Sequence, residues 1–381
     1  MKYYLIAGEP SGDALGGKLI DAIQRKDKNA EFFGLGGDSM QARGFKSLFN
    51  ISDLAIMGLA EVIPSIPKVL RRIKETVQNI CDTNPDVVIT IDSWSFSARV
   101  HKALRKTDKK IPQIHYVAPQ VWAWKKKRAK TMYKYIDHLL TLFPQEPKYF
   151  TPYNLPTTFV GHPVIESDVI NGKKGDFRKQ YNIPKDHKIM LVLPGSRHNE
   201  VERLLPTFLD VVRKTMEKYE NFTFVIPTVS TVSSHVKSMV EKANLPIVVI
   251  EGTKARHDAF KNADIAIAAS GTVALELAIV NVPHIVAYRV PKLTEWIVKH
   301  FIHIQFVNLS NILLGREIVP ELLQEDCNVD KISYYIDDFI NKKSTYERQI
   351  TGFKKVRELL GMGKQTPSDN ACDKILEIIA K

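Results

Sequence analysis

The feature that most limits the fold of this chain is a repeated exchange between short apolar runs and helical stretches. Residues 3–7, 31–35, 87–92, 111–117 and 138–142 read as strands, with 14–24 and 96–105 among the helices between them. Several runs are apolar at consecutive positions, as in strands covered on both faces. Such strands need crossover helices, so the rhythm predicts a doubly wound parallel sheet. A polar, turn-rich stretch at 165–179 separates this series from a second one, with strands expected at 189–193, 222–226, 247–250, 264–268 and 284–287.

The expectation is therefore an α/β protein with two Rossmann-like domains, 1–163 and 164–342, and C-terminal helices at 343–381 that pack back on an N-terminal domain. With 381 residues and 44% hydrophobic content, the chain exceeds one comfortable core, in keeping with two domains. A net charge of +12 draws anions to the surface, whether nucleic acid, acidic headgroups or phosphorylated substrates. Cys81, Cys327 and Cys372 have neither disulfide-framework nor zinc spacing, which points to a reducing cytoplasm. No apolar run is long enough to span a bilayer, so any membrane contact would be peripheral.

In doubly wound sheets ligands bind beyond the carboxyl ends of strands. The stretch 264–276 reads there as strand, small-residue turn and helix start: Gly271 permits the turn, Thr272 caps the helix, and free N–H groups face an anion while Glu276 accepts from sugar hydroxyls. Residues 193–202 repeat that logic, with Gly195 and Ser196 in the turn and Arg197 suited to bidentate phosphate binding or, alternatively, to a helix-start pair with Glu200 or Glu202. In the first half, the loops 8–13 and 92–95 carry carboxylates at strand exits, whereas glycines 34–37 read as a tight turn. Asn311 either reads a base or phosphate or caps the turn before Ile312. Apolar residues from Leu59 to Ile73 recur at helical spacing beside Lys68, Arg71, Arg72 and Lys74; this fits a surface helix on its own sheet or a segment lying on an anionic membrane. Pro64 and Pro67 place the start of regular helix near Ile66. The aromatic run 115–124 followed by Lys125, Lys126, Lys127 and Arg128 fits a solvated face or a phosphorylated-substrate patch better than nucleic acid.

Taken in order, the motifs at 8–13, 57–61, 114–124, 193–197, 269–276 and 311–316 resemble the lipid A disaccharide synthase family, inverting glycosyltransferases of the two-Rossmann-domain class called GT-B. The resemblance spans nearly the whole chain. It implies transfer of 2,3-diacylglucosamine from its UDP conjugate to 2,3-diacylglucosamine 1-phosphate, giving a β-1,6-linked disaccharide 1-phosphate and UDP. It also assigns Gly195, Ser196, Arg197, Ser270, Gly271, Thr272, Glu276 and Asn311 to the UDP-sugar, with Arg197 helping the leaving group, and Ala60, Val62, Ile63, Ile66, Val69 and Leu70 to an acyl or membrane patch. It further implies a homodimer with exchanged C-terminal segments, peripheral on the inner face of a bacterial inner membrane. The family's usual catalytic aspartate is replaced by Ser95, which moves the expected base to Asp92, with Glu9 and Asp13 behind it. No Asp-x-Asp pair occurs, so no metal or cofactor is expected. The competing readings are a UDP-sugar epimerase of the same fold class and a non-catalytic basic protein that binds membranes or nucleic acid.

Overall fold

The computed structural model describes residues 1–54, 59–119, 121, 128–269, 271–291 and 305–380, without the side chains of 59–65, 174 and 175. It forms two compact units, Met1–Pro163 with Gly363–Lys381, and Val164–Met362.

The first unit is built on β1 (Lys2–Ala7), β2 (Glu31–Leu35), β3 (Val87–Ile91), β4 (Gln113–Tyr116), β5 (His138–Thr141) and β6 (Thr157–Phe159), ordered β2-β1-β3-β4-β5-β6 and parallel at every pairing. Tyr3, Tyr4, Leu5, Ile6 and Ala7 are all buried, so β1 is covered on both faces as its unbroken apolar run requires. Helices α1 (Pro10–Lys26), α2 (Leu59–Thr83) and α3 (Trp94–Leu104) make the early crossovers. The expected strands all fall in the sheet, and β6 was not foreseen because three residues carry too little pattern.

One expectation on α2 needs correcting. The helix begins at Leu59 and runs through Pro64 and Pro67, where a start near Ile66 was expected. Each proline removes one N–H from the early turns, and the later turns anchor the helix through buried Ile73 and Ile80 in the core with Tyr4, Ile6 and Val88.

The second unit contains β7 (Lys188–Leu193), β8 (Phe222–Thr228), β9 (Ile247–Glu251), β10 (Ile265–Ala268), β11 (His284–Tyr288) and β12 (Glu321–Leu323), ordered β12-β11-β10-β7-β8-β9 and again all parallel. The crossovers include α4 (His198–Lys218), α5 (Ser233–Ala243), α6 (Thr253–Asn262) and α7 (Thr272–Ile279). Val201, Leu204, Leu205, Phe208, Val211 and Val212 give α4 a fully buried stripe at helical spacing against Met190, Val192 and Phe224.

After α8 (Leu309–Leu314) and α9 (Val329–Ile340), the helix α10 (Ser344–Leu360) stays with the second unit, so the return to the first unit comes after Met362 and not at 343 as expected. The reason lies in Gln349, whose amide accepts from His284 N–H at 2.9 Å and donates to His284 O at 2.8 Å, and in Phe353, stacked on the His284 ring at 5.3 Å. Only α11 (Pro367–Ile379) packs on α1, through Arg25–Asp369 at 2.5 Å, Lys26–Asp373 and the buried Cys372 and Ile375. Among the described residues no helix is long and apolar enough to cross a membrane.

Buried Glu146 accepts from the N–H groups of Leu142 and Phe143, both at 3.0 Å, and burial still pushes its carboxyl from 4.5 up to about 7. The folded chain therefore holds a proton that the unfolded chain releases near 4.5, and stability contributed below that pH is lost as pH rises through about 7. We expect Glu146→Gln to remove this loss, on the order of 3 kcal/mol. Urea unfolding from pH 4.5 to 8 would measure it, and parallel pH profiles for wild type and variant would refute it.

Candidate active site

The order of each sheet fixes where its crevice opens. In the second unit the chain leaves β7 towards β8 and returns on the other side as β10, so the loops after β7 and β10 diverge at adjacent strands. The register Ile267 to Val192 and Ala268 to Leu193 brings both strand ends to one level. Gly195 there has φ +112°, and a Cβ on it would lie 2.4 Å from Glu200 Oε2, so the turn requires glycine. Glu200, in the first turn of α4, pins the loop: its carboxylate accepts from Ser196 N–H at 3.1 Å, Arg197 Nη1 at 3.4 Å and Tyr288 OH at 3.1 Å. The Arg197 side chain is 81% exposed, so that single long contact leaves most of its donors open to a ligand.

Across the crevice, Gly271 with φ +142° takes the N-cap of α7. Thr272 is the exposed first residue of the helix, which corrects its expected role as the cap; Gly271 turns the chain one residue earlier. Gly271 brings no side chain to cap α7; Ala274 N–H turns back to Gly271 O at 3.3 Å, while the Thr272 and Val273 N–H groups have no partner among the described residues and are open to an anion. Ser270 lies outside the described residues. Leu193, Gly195, Ser196, Arg197, Gly271 and Thr272 border one cavity of about 350 Å³.

Glu276 sits one turn into α7 and pairs with Arg256 Nη2 at 3.1 Å. Burial raises its carboxyl above the ordinary range, and the Arg256 charge opposes that rise. Arg256 borders the cavity from α6, and sequence reasoning missed it. It stands among Lys254, His257 and Lys261, so nothing in the local pattern separates it from a solvated basic helix.

Asn311 requires a correction. Its side chain is fully buried, donating to Val319 O and Glu321 Oε1, both at 2.8 Å, and accepting from Ile318 N–H at 2.8 Å and Val319 N–H at 3.0 Å. Every strong donor and acceptor of the amide is thus spent on the chain itself. The helix cap belongs to Asn308, which accepts from Ser310 N–H and Asn311 N–H.

The first unit has its own divergence point between β1 and β3, bringing the loops 8–13 and 92–95 together. Asp92 and Ser93 are both left-handed, with φ +57° and +44°, an uncommon pair that turns the chain sharply into α3. Asp92 does not cap α3: its carboxylate accepts from Ser11 Oγ at 3.0 Å and Ser93 N–H at 2.8 Å. Ser93 Oγ in turn donates to Glu9 Oε1 at 2.5 Å. Glu9, Asp92, Ser95 and Arg128 border a cavity of about 360 Å³. Asp13 is excluded as a base, because it is buried and accepts from Gly37 N–H at 2.7 Å, Ser39 N–H at 2.8 Å and Met40 N–H at 3.1 Å, which makes it the clamp of the 36–40 turn.

Below this loop Thr90 joins the rings of His101 and His115, each at 2.7 Å, and His101 reaches Gln113 at 2.7 Å. Burial holds His101 down to about 4 and His115 well below its ordinary value, so both are neutral, and Trp94 lies 4.7 Å from the His115 ring.

Of the expected acyl patch, Ile66 and Leu70 are exposed, whereas Val69 is half-buried and packs against the core. The side chains of Ala60, Val62 and Ile63 lie outside the described residues. Asp53 engages Lys68 at 2.5 Å and also Arg72, so part of the basic face is already paired.

Two units built on parallel sheets, each with loops gathered at its own divergence point, define the GT-B class of α/β proteins. The same fold occurs in UDP-GlcNAc 2-epimerase from Neisseria meningitidis, solved with UDP-GlcNAc (TM-score 0.65, 13% identity, 100% of both chains), and in a glycosyltransferase from Rickettsia africae (TM-score 0.60, 12% identity, 99% of this chain and 97% of that one). These identities establish fold alone. A family model described as lipid-A-disaccharide synthetase matches residues 3–375. The chain is 42% identical to the lipid-A-disaccharide synthase of Paramagnetospirillum magneticum, covering 100% of this chain and 98% of the relative, and 43% identical to that of Rhodospirillum centenum, covering 99% and 94%. It belongs to the lipid-A-disaccharide synthase family.

The geometry of Asn311 separates structure from binding. Asn311→Ala strands buried N–H groups of Ile318 and Val319 and should cost about 2–3 kcal/mol of stability. UDP affinity of the folded protein should stay within about twofold, a change under roughly 0.5 kcal/mol. Chemical denaturation with calorimetric UDP titration would check both, and a large affinity loss without destabilisation would reverse the assignment.

Proposed function

We propose that the chain transfers 2,3-diacylglucosamine from its UDP conjugate to the 6-hydroxyl of 2,3-diacylglucosamine 1-phosphate, forming the β-1,6-linked disaccharide 1-phosphate and UDP. Family membership along residues 3–375 carries this reading. The crevice of the second unit supplies what the leaving group needs. As the bond to UDP breaks, negative charge grows on the diphosphate, and the N–H groups of Thr272 and Val273, already oriented by α7, meet it together with the exposed guanidinium of Arg197. Glu276, oriented by Arg256, is suited to accept from ribose hydroxyls.

In the first unit Asp92 takes the proton from the attacking hydroxyl, with Glu9 linked to it through Ser93. Asp92→Asn keeps the left-handed turn, which asparagine tolerates, and removes the proton acceptor. We expect wild type to give disaccharide and UDP from the two diacyl substrates with a chelator present, and Asp92→Asn to lower kcat about 10²-fold or more. Mass analysis of the product decides. Absence of disaccharide sinks the function, metal-restorable loss sinks the metal-free chemistry, and a fully active variant sinks the base.

A second part of the proposal places the protein peripherally on the inner face of the inner membrane, working as a homodimer that exchanges C-terminal segments. Exposed Ile66 and Leu70 on α2 support the membrane contact. Replacing both with serine should weaken flotation with acidic phospholipid vesicles at least fivefold, about 1 kcal/mol. Unchanged flotation would remove the patch. An exchange would re-form the α1–α11 contacts between copies, including Arg25–Asp369, and sedimentation of the intact chain reports the dimer.

A further inference from the structure

The cavity of the first unit holds a cation that the steps above leave unused. Arg128 borders the same space as Glu9, Asp92 and Trp94. It leads directly into the short helix Ala129–Met132, whose end residues are buried among Ala118, Ile136, Leu139 and Phe150. The two carboxylates are bonded by neutral donors, Ser11 Oγ and Ser93 N–H on Asp92 and Ser93 Oγ on Glu9. Among the described residues they have no basic partner and the Arg128 guanidinium has no acidic one. Residues 120–127 contain no acid that could supply one.

One cavity is thus bordered by charges of both signs, two carboxylates and a half-buried guanidinium that has no acidic partner among the described residues. An anion beside Glu9 and Asp92 would be repelled, so among the described residues bordering the cavity its favourable place is at Arg128, while a donating hydroxyl fits the carboxylates. A planar guanidinium matches a phosphate in bidentate fashion, which makes Arg128 selective for an oxyanion and not merely attractive to one.

We infer that Arg128 holds the phosphate of the acceptor, a phosphomonoester, and thereby sets the direction in which the acceptor lies. The inference rests on the proposed transfer reaction. In that acceptor the anomeric phosphate and the 6-hydroxyl leave the sugar ring from opposite ends. A cavity bordered by both a guanidinium and carboxylates offers a partner to each, with the hydroxyl delivered to Asp92. Arg128 is a specificity residue here and takes no part in the proton transfer.

The test is steady-state kinetics in neutral-detergent micelles, which offer no anionic surface for Arg128 to touch. Wild type, Arg128→Gln and Arg128→Lys are compared on the diacyl sugar 1-phosphate and on the same diacyl sugar lacking the phosphate. With the phosphorylated acceptor, Arg128→Gln should raise KM roughly 10- to 100-fold and Arg128→Lys should recover part of it. With the unphosphorylated acceptor, all three proteins should show the same kcat/KM. UDP affinity, measured by calorimetry on the second unit's site, should be unchanged and reports that each variant is folded. Equal loss on both acceptors, or no loss on either, overturns the inference. If wild type forms no disaccharide from either acceptor, the transfer reading fails and this inference with it. If wild type forms it and Arg128→Gln keeps the preference for the phosphorylated acceptor, only the inference fails.

Discussion

Parallel strands covered on both faces can be connected only by crossovers, and every crossover leaves its strand at the same end of the sheet. That constraint gathers loops 8–13 and 92–95 in one unit and 193–197 with 269–272 in the other. It also delivers helix N-termini, with their unsatisfied N–H groups, to those ends. What differs between the units is how these groups are satisfied. In the first, Asp13 consumes three of them, at Gly37, Ser39 and Met40, and closes the 36–40 turn. In the second, Gly271 offers α7 no capping side chain, and the Thr272 and Val273 N–H groups stay open among the described residues. One architecture thus produces a sealed turn in one place and an uncapped helix start in another, depending on which residue stands at the strand exit.

The same contrast explains what was legible in the sequence. Strand positions came through because burial on both faces writes itself into consecutive residues, as at Tyr3 to Ala7 and Met190 to Leu193. Glycine turns came through because Gly195 and Gly271 answer to local backbone geometry. Side-chain commitments did not, since they depend on partners that only the folded chain brings near. Asp13 meets amides more than twenty residues away, Glu200 meets Tyr288, and Arg256 meets Glu276. Asn311 is the clearest example. A motif residue beside a turn looks free in sequence, yet its amide is exhausted by Ile318, Val319 and Glu321.

Charge follows the same rule. A net +12 indicates attraction to anions without saying where, because many basic residues are spent on neighbours. Lys68 and Arg72 share Asp53, Arg256 is held by Glu276, and Arg25 is held by Asp369. The more exposed of these pairs, such as Lys68–Asp53 and Arg25–Asp369, add little to stability, but all of them remove cations from the pool that can bind a ligand. The cations that the fold leaves under-used at a crevice are Arg197, with one long contact, and Arg128, with no acidic partner among the described residues.

The loop that departs from the family pattern completes the argument. With Ser95 at the start of α3, the helix end presents a hydroxyl where a carboxylate would have been favoured by the helix dipole. The carboxylates that remain are upstream of the helix, and Ser93 ties them together, its N–H on Asp92 and its hydroxyl on Glu9. Holding that bridge requires two successive left-handed residues, a backbone cost that the surrounding buried strand must offset. On the proposed reaction, that strain fixes Asp92 at the cavity wall, so a serine at 95 moves the proton acceptor along the loop without removing it from the crevice.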